Sequence, residues 1–152
     1  MSTSQPAMTR EQIEQQIPHR DPFLWLDEVV SVSDTAIHAR KLVRPDLDVF
    51  RGHYPSFPVL PGVLQVEAAL QAGAVLIATV APPEEGQVPV VTRMNQVQFR
   101  RIVRPGEVLD LHVELTERLA NAFFLKAKVS VEGKLTVRFE FACAAANPPA
   151  DG

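Results

Sequence analysis

The chain has 152 residues, enough for one domain that buries about two-thirds of its unfolded surface. Its 46% hydrophobic and 22% charged residues are ordinary for a globular protein, and a formal net charge of −3 removes the overall basic field that nucleic-acid binding requires. The single cysteine, Cys143, excludes an intramolecular disulfide framework and suits a reducing cytosol. The polar, Ser/Thr-rich residues from Met1 to Glu11 show no basic-then-apolar leader pattern, so a cytoplasmic location is expected.

Residues 1–8 read as a flexible N-terminus, followed by a minor helix at Glu11 to Ile17. A strand from about Leu24 to Val32 turns at Asp34-Thr35 into a partner from about Ala36 to Val43. One long helix is expected from about Gly62 to Val80, apolar almost all round and therefore buried on nearly every side. Gln65, Glu67, Gln71 and Thr79 interrupt its apolar run, which argues against a membrane span. Val88 to Phe99 is a further strand, bounded by Pro82-Pro83 and Pro105-Gly106.

The remainder alternates with period two. Leu109, Leu111, Val113 and Leu115 share one face, and Phe123, Leu125, Ala127, Val129 and Val131 the next. After a turn at Glu132-Gly133, Leu135, Val137, Phe139, Phe141 and Cys143 alternate with Thr136, Arg138 and Glu140 on the wet side. One buried helix beside five or six antiparallel strands is an α+β arrangement, with a curved sheet wrapped around the helix. Residues 9–143 form this single domain, and 144–152, with two prolines, a flexible tail.

Chemistry concentrates between Phe50 and Gly73. Gly52, Pro55, Pro58, Pro61 and Gly62 make a rigid, turning loop that carries His53. Pro61 and Gly62 stand at the helix start, where the first backbone N–H groups have no intrahelical acceptor and could polarise a thioester carbonyl. Glu67 lies a little over one turn into the helix and shares a face with Gln71. Apolar surroundings disfavour the charged form of a carboxyl group, and a protonated carboxyl can act as general acid for a departing hydroxyl. An imidazole can remove an acidified proton α to a carbonyl. Bland readings stand beside these. A histidine in a Pro/Gly loop can be structural or exposed, Glu67 can be a buried ion-pair or amide-bonded residue, and Gly52 and Gly62 can serve the turns alone.

Three segments resemble the β-hydroxyacyl-ACP dehydratases of type II fatty acid synthesis (the FabZ type), members of the hotdog-fold superfamily. They are Ile17-Pro18-His19-Arg20 with Pro22-Phe23-Leu24 and Asp27; Gly52-His53-Tyr54-Pro55 with Pro58, Pro61-Gly62-Val63-Leu64, Val66-Glu67-Ala68 and Gln71-Ala72-Gly73; and Phe99-Arg100-Arg101 with Pro105-Gly106. The resemblance implies a hotdog fold and conversion of (3R)-hydroxyacyl-ACP to trans-2-enoyl-ACP and water, without metal or organic cofactor. It implies His53 as base, Glu67 as acid, the Gly62 and Val63 amides as binders of the thioester oxygen, and Gln71 as Glu67's assistant. It further implies that His53 of one subunit faces Glu67 of another across a homodimer, often assembled as a trimer of dimers, with the acyl chain in an apolar tunnel near the interface. Arg100, Arg101 and Arg104 are candidates for meeting the acidic acyl carrier protein or the phosphopantetheine phosphate, or else mark a solvated strand end.

The chain departs from the pattern at Asp21, where an aromatic residue is common, at Tyr54 in place of phenylalanine, and in Val88 to Met94, which has no aromatic residue. Acyl chain length therefore stays open. So do the alternatives of a hotdog thioesterase, an enoyl-CoA hydratase, a dehydratase of another lipid or polyketide pathway, and a non-catalytic carrier-binding subunit. No phosphate-binding glycine loop or Gly-x-Ser-x-Gly elbow is present, and His19, His38, His53 and His112 lack ligand-like spacing. His38 and His112 are expected to be surface or structural strand residues, and His19 to organise the N-terminal segment.

Overall fold

Antiparallel strands and one helix account for most of the computed structural model, which describes residues 5–147. In chain order the elements are α1 (Arg10–Glu14), β1 (Glu28–Val32), β2 (Ala36–Leu42), a 3₁₀ turn (Asp48–Arg51), α2 (Gly62–Val80), β3 (Val88–Phe99), β4 (Val108–Leu119), β5 (Ala122–Val131) and β6 (Lys134–Ala146). The strands form one six-stranded sheet in the order β1-β2-β4-β5-β6-β3, every pairing antiparallel.

Period-two burial builds the core. Leu109, Leu111 and Val113 of β4, Leu125, Ala127 and Val129 of β5, and Val137, Phe139 and Phe141 of β6 all turn inward. α2 lies against them, touching β2 through β6. Its small residues Ala68, Ala69, Ala72 and Gly73 are buried and allow close approach. A β-carbon at Gly73 would stand 2.7 Å from the Phe141 ring. By length and composition α2 could cross a membrane, but 67% of its apolar window is packed inside the protein. The β5–β6 turn has positive φ at both Glu132 (50°) and Gly133 (77°), as a tight two-residue hairpin demands.

Three expectations shift. The strand expected from Leu24 begins at Glu28; Leu24, Trp25 and Leu26 are buried as a loop instead. β6 passes Cys143 and pairs Ala146 with Val88, while Met8 bridges to Val29, so ordered pairing extends beyond the expected limits at both ends. Residues 1–4 and 148–152 of the two expected loose ends lie outside the described residues. Thr136, expected on the wet face, is fully buried. Val129 pairs with Val137 but Ser130 with Leu135, so Thr136 is the extra residue of a β-bulge, which resets the alternation.

Candidate active site

His53 follows the 3₁₀ turn, in a loop tied down by its own backbone. The His53 N–H donates to Val49 O at 3.0 Å, and the Val59 N–H donates to His53 O at 3.2 Å. The ring Nδ1 lies 2.8 Å from Val59 O. A carbonyl oxygen only accepts, so Nδ1 carries the proton, and the neutral imidazole keeps its lone pair on Nε2. Tyr54 stacks on the imidazole at 4.5 Å between centroids.

The loop then leads into α2. Leu60 N–H donates to Val103 O at 2.8 Å, which docks the helix entry on the segment after β3. Pro61 is the N-cap and supplies no side-chain hydrogen bond. The Gly62 and Val63 amides precede the first donor of the helix, the Leu64 N–H, which bonds Pro61 O at 3.0 Å, so they are available to a ligand. Gly62 is needed there because the Phe99 ring covers it; a β-carbon would stand 2.6 Å from Phe99 Cε1. His53, Gly62, Val63, Gln65, Arg100 and Arg101 are among the residues lining one open groove of about 600 Å³. Apolar walls come from Tyr54, Val59, Leu60, Phe99 and Ile102.

Glu67 and Gln71 belong to a second cluster on α2. Gln71 is almost fully buried, and its amide orientation follows from its partners. Trp25 N–H can only donate, so it meets Oε1 (2.8 Å); Nε2 donates to Phe23 O (2.9 Å) and to Glu67 Oε2 (3.2 Å). Gln71 thereby fixes both the loop at Phe23–Trp25 and the Glu67 carboxyl group. Glu67 is not among the residues lining the His53 groove of the same chain. His53 and Glu67, expected to meet across subunits, are thus not brought together by this groove within one chain.

Of the expected arginines, Arg100 and Arg101 stand at the groove. Arg104 points elsewhere, its guanidinium 4.5 Å above the Phe57 ring. In the N-terminal segment it is Arg20, not His19, that makes the ties: it donates to Ile17 O, His19 O and Glu14 O. Sequence reasoning missed Gln65 and Thr136, which are buried and joined at 2.6 Å. A glutamine on the helix's apolar side was the available signal for the first; the bulge hides the second. Among the described residues, no three His, Cys, Asp or Glu side chains converge to hold a metal ion.

One long helix wrapped by an antiparallel sheet is a hotdog-fold arrangement, and solved structures share it. A dehydratase heterocomplex from Xenorhabdus doucetiae superposes with a TM-score of 0.74 at 21% identity, covering 95% of this chain and 93% of that chain. A thioesterase from Haemophilus influenzae does so at 0.69 and 20% identity, covering 96% of each. The chain belongs to the FabA-like domain family, whose model matches residues 17–140. It is 40% identical over 142 residues to the 3-hydroxyacyl-[acyl-carrier-protein] dehydratase FabZ of Erythrobacter litoralis, spanning 92% of this chain and 94% of the relative. It is 42% identical over 132 residues to that of Albidiferax ferrireducens, spanning 85% and 88%.

Proposed function

We propose that this chain is a 3-hydroxyacyl-ACP dehydratase of fatty acid biosynthesis, acting in the cytoplasm on (3R)-hydroxyacyl chains carried by acyl carrier protein. The observation that carries the reading is the near full-length similarity to the Erythrobacter litoralis dehydratase, together with a His53 ring whose Nδ1 is committed to Val59 O. His53 Nε2 takes the proton from C2 of the substrate. Negative charge developing on the thioester oxygen is met by the Gly62 and Val63 amides at the positive end of α2. Glu67, held by Gln71, gives its proton to the C3 hydroxyl; the C3–O bond breaks, water leaves, and the C2–C3 double bond forms. No cofactor is required by this balance.

The working unit is a homodimer, and a trimer of dimers is its natural further assembly. Two features of a single chain support the dimer. Glu67 is not among the residues lining the His53 groove, which agrees with an acid supplied by a second copy. β3 is an outer strand of the sheet, and Val90, Val91, Met94, Val97 and Phe99 along it are all exposed. A long apolar edge invites pairing with another chain. The acyl chain then lies in an apolar tunnel near that interface, and Arg100 and Arg101 at the groove face the acidic carrier.

A thioesterase reading finds less support: the thioesterase likeness is one of fold at 20% identity, whereas relatives at 40% and 42% are named dehydratases. The test is hydration of crotonyl-CoA, followed by loss of enoyl absorbance, for wild type beside His53→Ala and Glu67→Gln. Enoyl loss without thiol release, abolished in both folded variants, is expected. Thiol release, or turnover indifferent to both substitutions, overturns the reading.

A further inference from the structure

The bulge in β6 aims one hydroxyl at the start of α2. Thr136 has no accessible surface, and Gln65, which it meets, is 2% exposed. Thr136 Oγ1 lies 2.6 Å from the Gln65 side-chain amide and 3.0 Å from Val129 O. A hydroxyl has one proton to give. It either donates to Gln65 Oε1, or donates to Val129 O and accepts an N–H from a Gln65 amide turned about. Both arrangements bond Thr136 to Gln65. On its backbone side, Thr136 O accepts the Arg100 N–H at 2.7 Å and the Arg101 N–H at 3.3 Å. One residue thus grips the first turn of α2 with its side chain and the arginine segment with its carbonyl. Gln65, Arg100 and Arg101 line the same groove as His53, Gly62 and Val63.

We infer that Thr136 and Gln65 are positioning residues that hold the first turn of α2 and the Arg100–Arg101 segment in a single register at the groove. Gln65 stands between Gly62 and Glu67 on one helix. Rotation or sliding of that turn moves the Gly62 and Val63 amides and the Glu67 carboxyl group together. Stability alone does not require the pair, since two well-packed apolar side chains in place of a buried hydrogen-bonded pair are often neutral. A directional bond adds a fixed register, which apolar packing specifies less sharply. Bulges recur beside active sites because they re-aim one side chain without ending the strand. The kinetic part of the inference rests on the dehydratase reading; the structural part does not.

The test uses Thr136→Val, Thr136→Ser, Gln65→Met and the double variant Thr136→Val/Gln65→Met in the full chain. Melting temperature, kcat and KM for crotonyl-CoA hydration, and amide hydrogen exchange at Leu64–Gln65 and Arg100–Arg101 are measured. Thr136→Val is expected to lower kcat about tenfold, leave KM within about twofold, and speed exchange in both segments together; Thr136→Ser restores all three. The double variant recovers the melting temperature of wild type but neither kcat nor slow exchange. Recovery of kcat and protection along with stability in the double variant overturns the inference, because the pair is then packing alone. Unaltered exchange in Thr136→Val overturns it as well. An inactive wild type whose exchange responds as described counts against the dehydratase reading and in favour of the register.

Discussion

The Phe99 ring closes over Gly62 so tightly that a β-carbon there would stand 2.6 Å from Cε1 and 2.7 Å from Cδ1. In a single chain the ring is 55% exposed and has room to swing aside, room that a second copy seated on β3 would narrow. Gly62→Ala should therefore fold, at the cost of displacing the ring. The displaced ring disturbs the groove beside the Gly62 and Val63 amides. We expect kcat/KM for crotonyl-CoA to fall about tenfold, equal to ~1.4 kcal/mol of transition-state stabilisation, while the circular-dichroism melt moves by only a few degrees. Gly62→Ala/Phe99→Leu should regain part of the loss. Wild-type kinetics in Gly62→Ala would show that the position of the Phe99 ring does not bear on the chemistry.

The separation of Glu67 from the His53 groove within one chain leads to a mixing experiment. His53→Ala and Glu67→Gln subunits, each inactive alone, should regain activity when exchanged, since a heterodimer of this kind holds one intact histidine–glutamate site. With random exchange half the dimers are mixed and each has one of two sites, so recovery should approach about a quarter of wild type, with sites acting independently. Mass spectrometry of the native mixture verifies exchange. No recovery despite confirmed heterodimers would place the acid and base in the same chain.

How legible these features were in the sequence differs by element. The bounds of α2 were readable at both ends, because Pro61-Gly62 opens it and Pro82-Pro83 follows its close. The inward faces of β4 and β5 followed from strict alternation. Alternation failed at Thr136, since a period-two reading assumes that each residue has one partner and a bulge breaks that count. It failed differently at Leu24 to Leu26, an apolar run that is buried as a loop. There the Gln71 side chain, 46 residues away from Trp25, accepts the N–H that a strand neighbour would otherwise take. The residue types of His53, Glu67 and Gln71 pointed to a site, but the bond between Gln65 and Thr136 spans 71 positions and leaves no local trace. β3 was legible as a strand between its proline boundaries, but not that most of it is exposed in a single chain. An apolar pattern records that a surface is covered and says nothing of which molecule covers it.

Arg100 and Arg101 stand beside the groove entrance with exposed side chains. Long-range attraction to an acidic carrier affects encounter more than chemistry and weakens with salt. Arg100→Glu and Arg101→Glu should each raise KM for carrier-bound substrate several-fold and flatten its dependence on ionic strength, while kcat and the KM for crotonyl-CoA hold within about twofold. Parallel kinetics on the two substrates at low and high salt decide the matter. Equal effects on both would assign these arginines to the groove's own structure, where Arg100 already donates to Gln98 Oε1 at 2.9 Å.

On the outer face of the sheet, the His38 and His112 rings stack at 4.2 Å between centroids. His38 Nε2 lies 2.7 Å from Asp110 Oδ1, which also accepts the Arg40 Nε–H at 2.9 Å. Burial, aided by the charges of His38, Arg40 and Lys128 and opposed by Asp110, holds the His112 imidazole below its ordinary value. At Asp110 burial pushes upward, but the hydrogen bonds from His38 and Arg40 outweigh it and hold the carboxyl group below the usual range. The two shifts act in separate windows. As pH falls through about 6.5, the unfolded chain protonates its residue 112 before the folded one does, so stability declines until the folded imidazole is protonated too. The Asp110 contribution is intact above the ordinary carboxylate value, about 3.9, and is lost only as pH falls below it toward the depressed folded value. Melting temperature should therefore decline between pH 7.5 and about pH 5.5, and His112→Asn should flatten that decline without altering catalysis at pH 7.5. The expected change is small because His112 is only partly covered. A melting profile as steep in His112→Asn as in wild type would trace the decline to other groups.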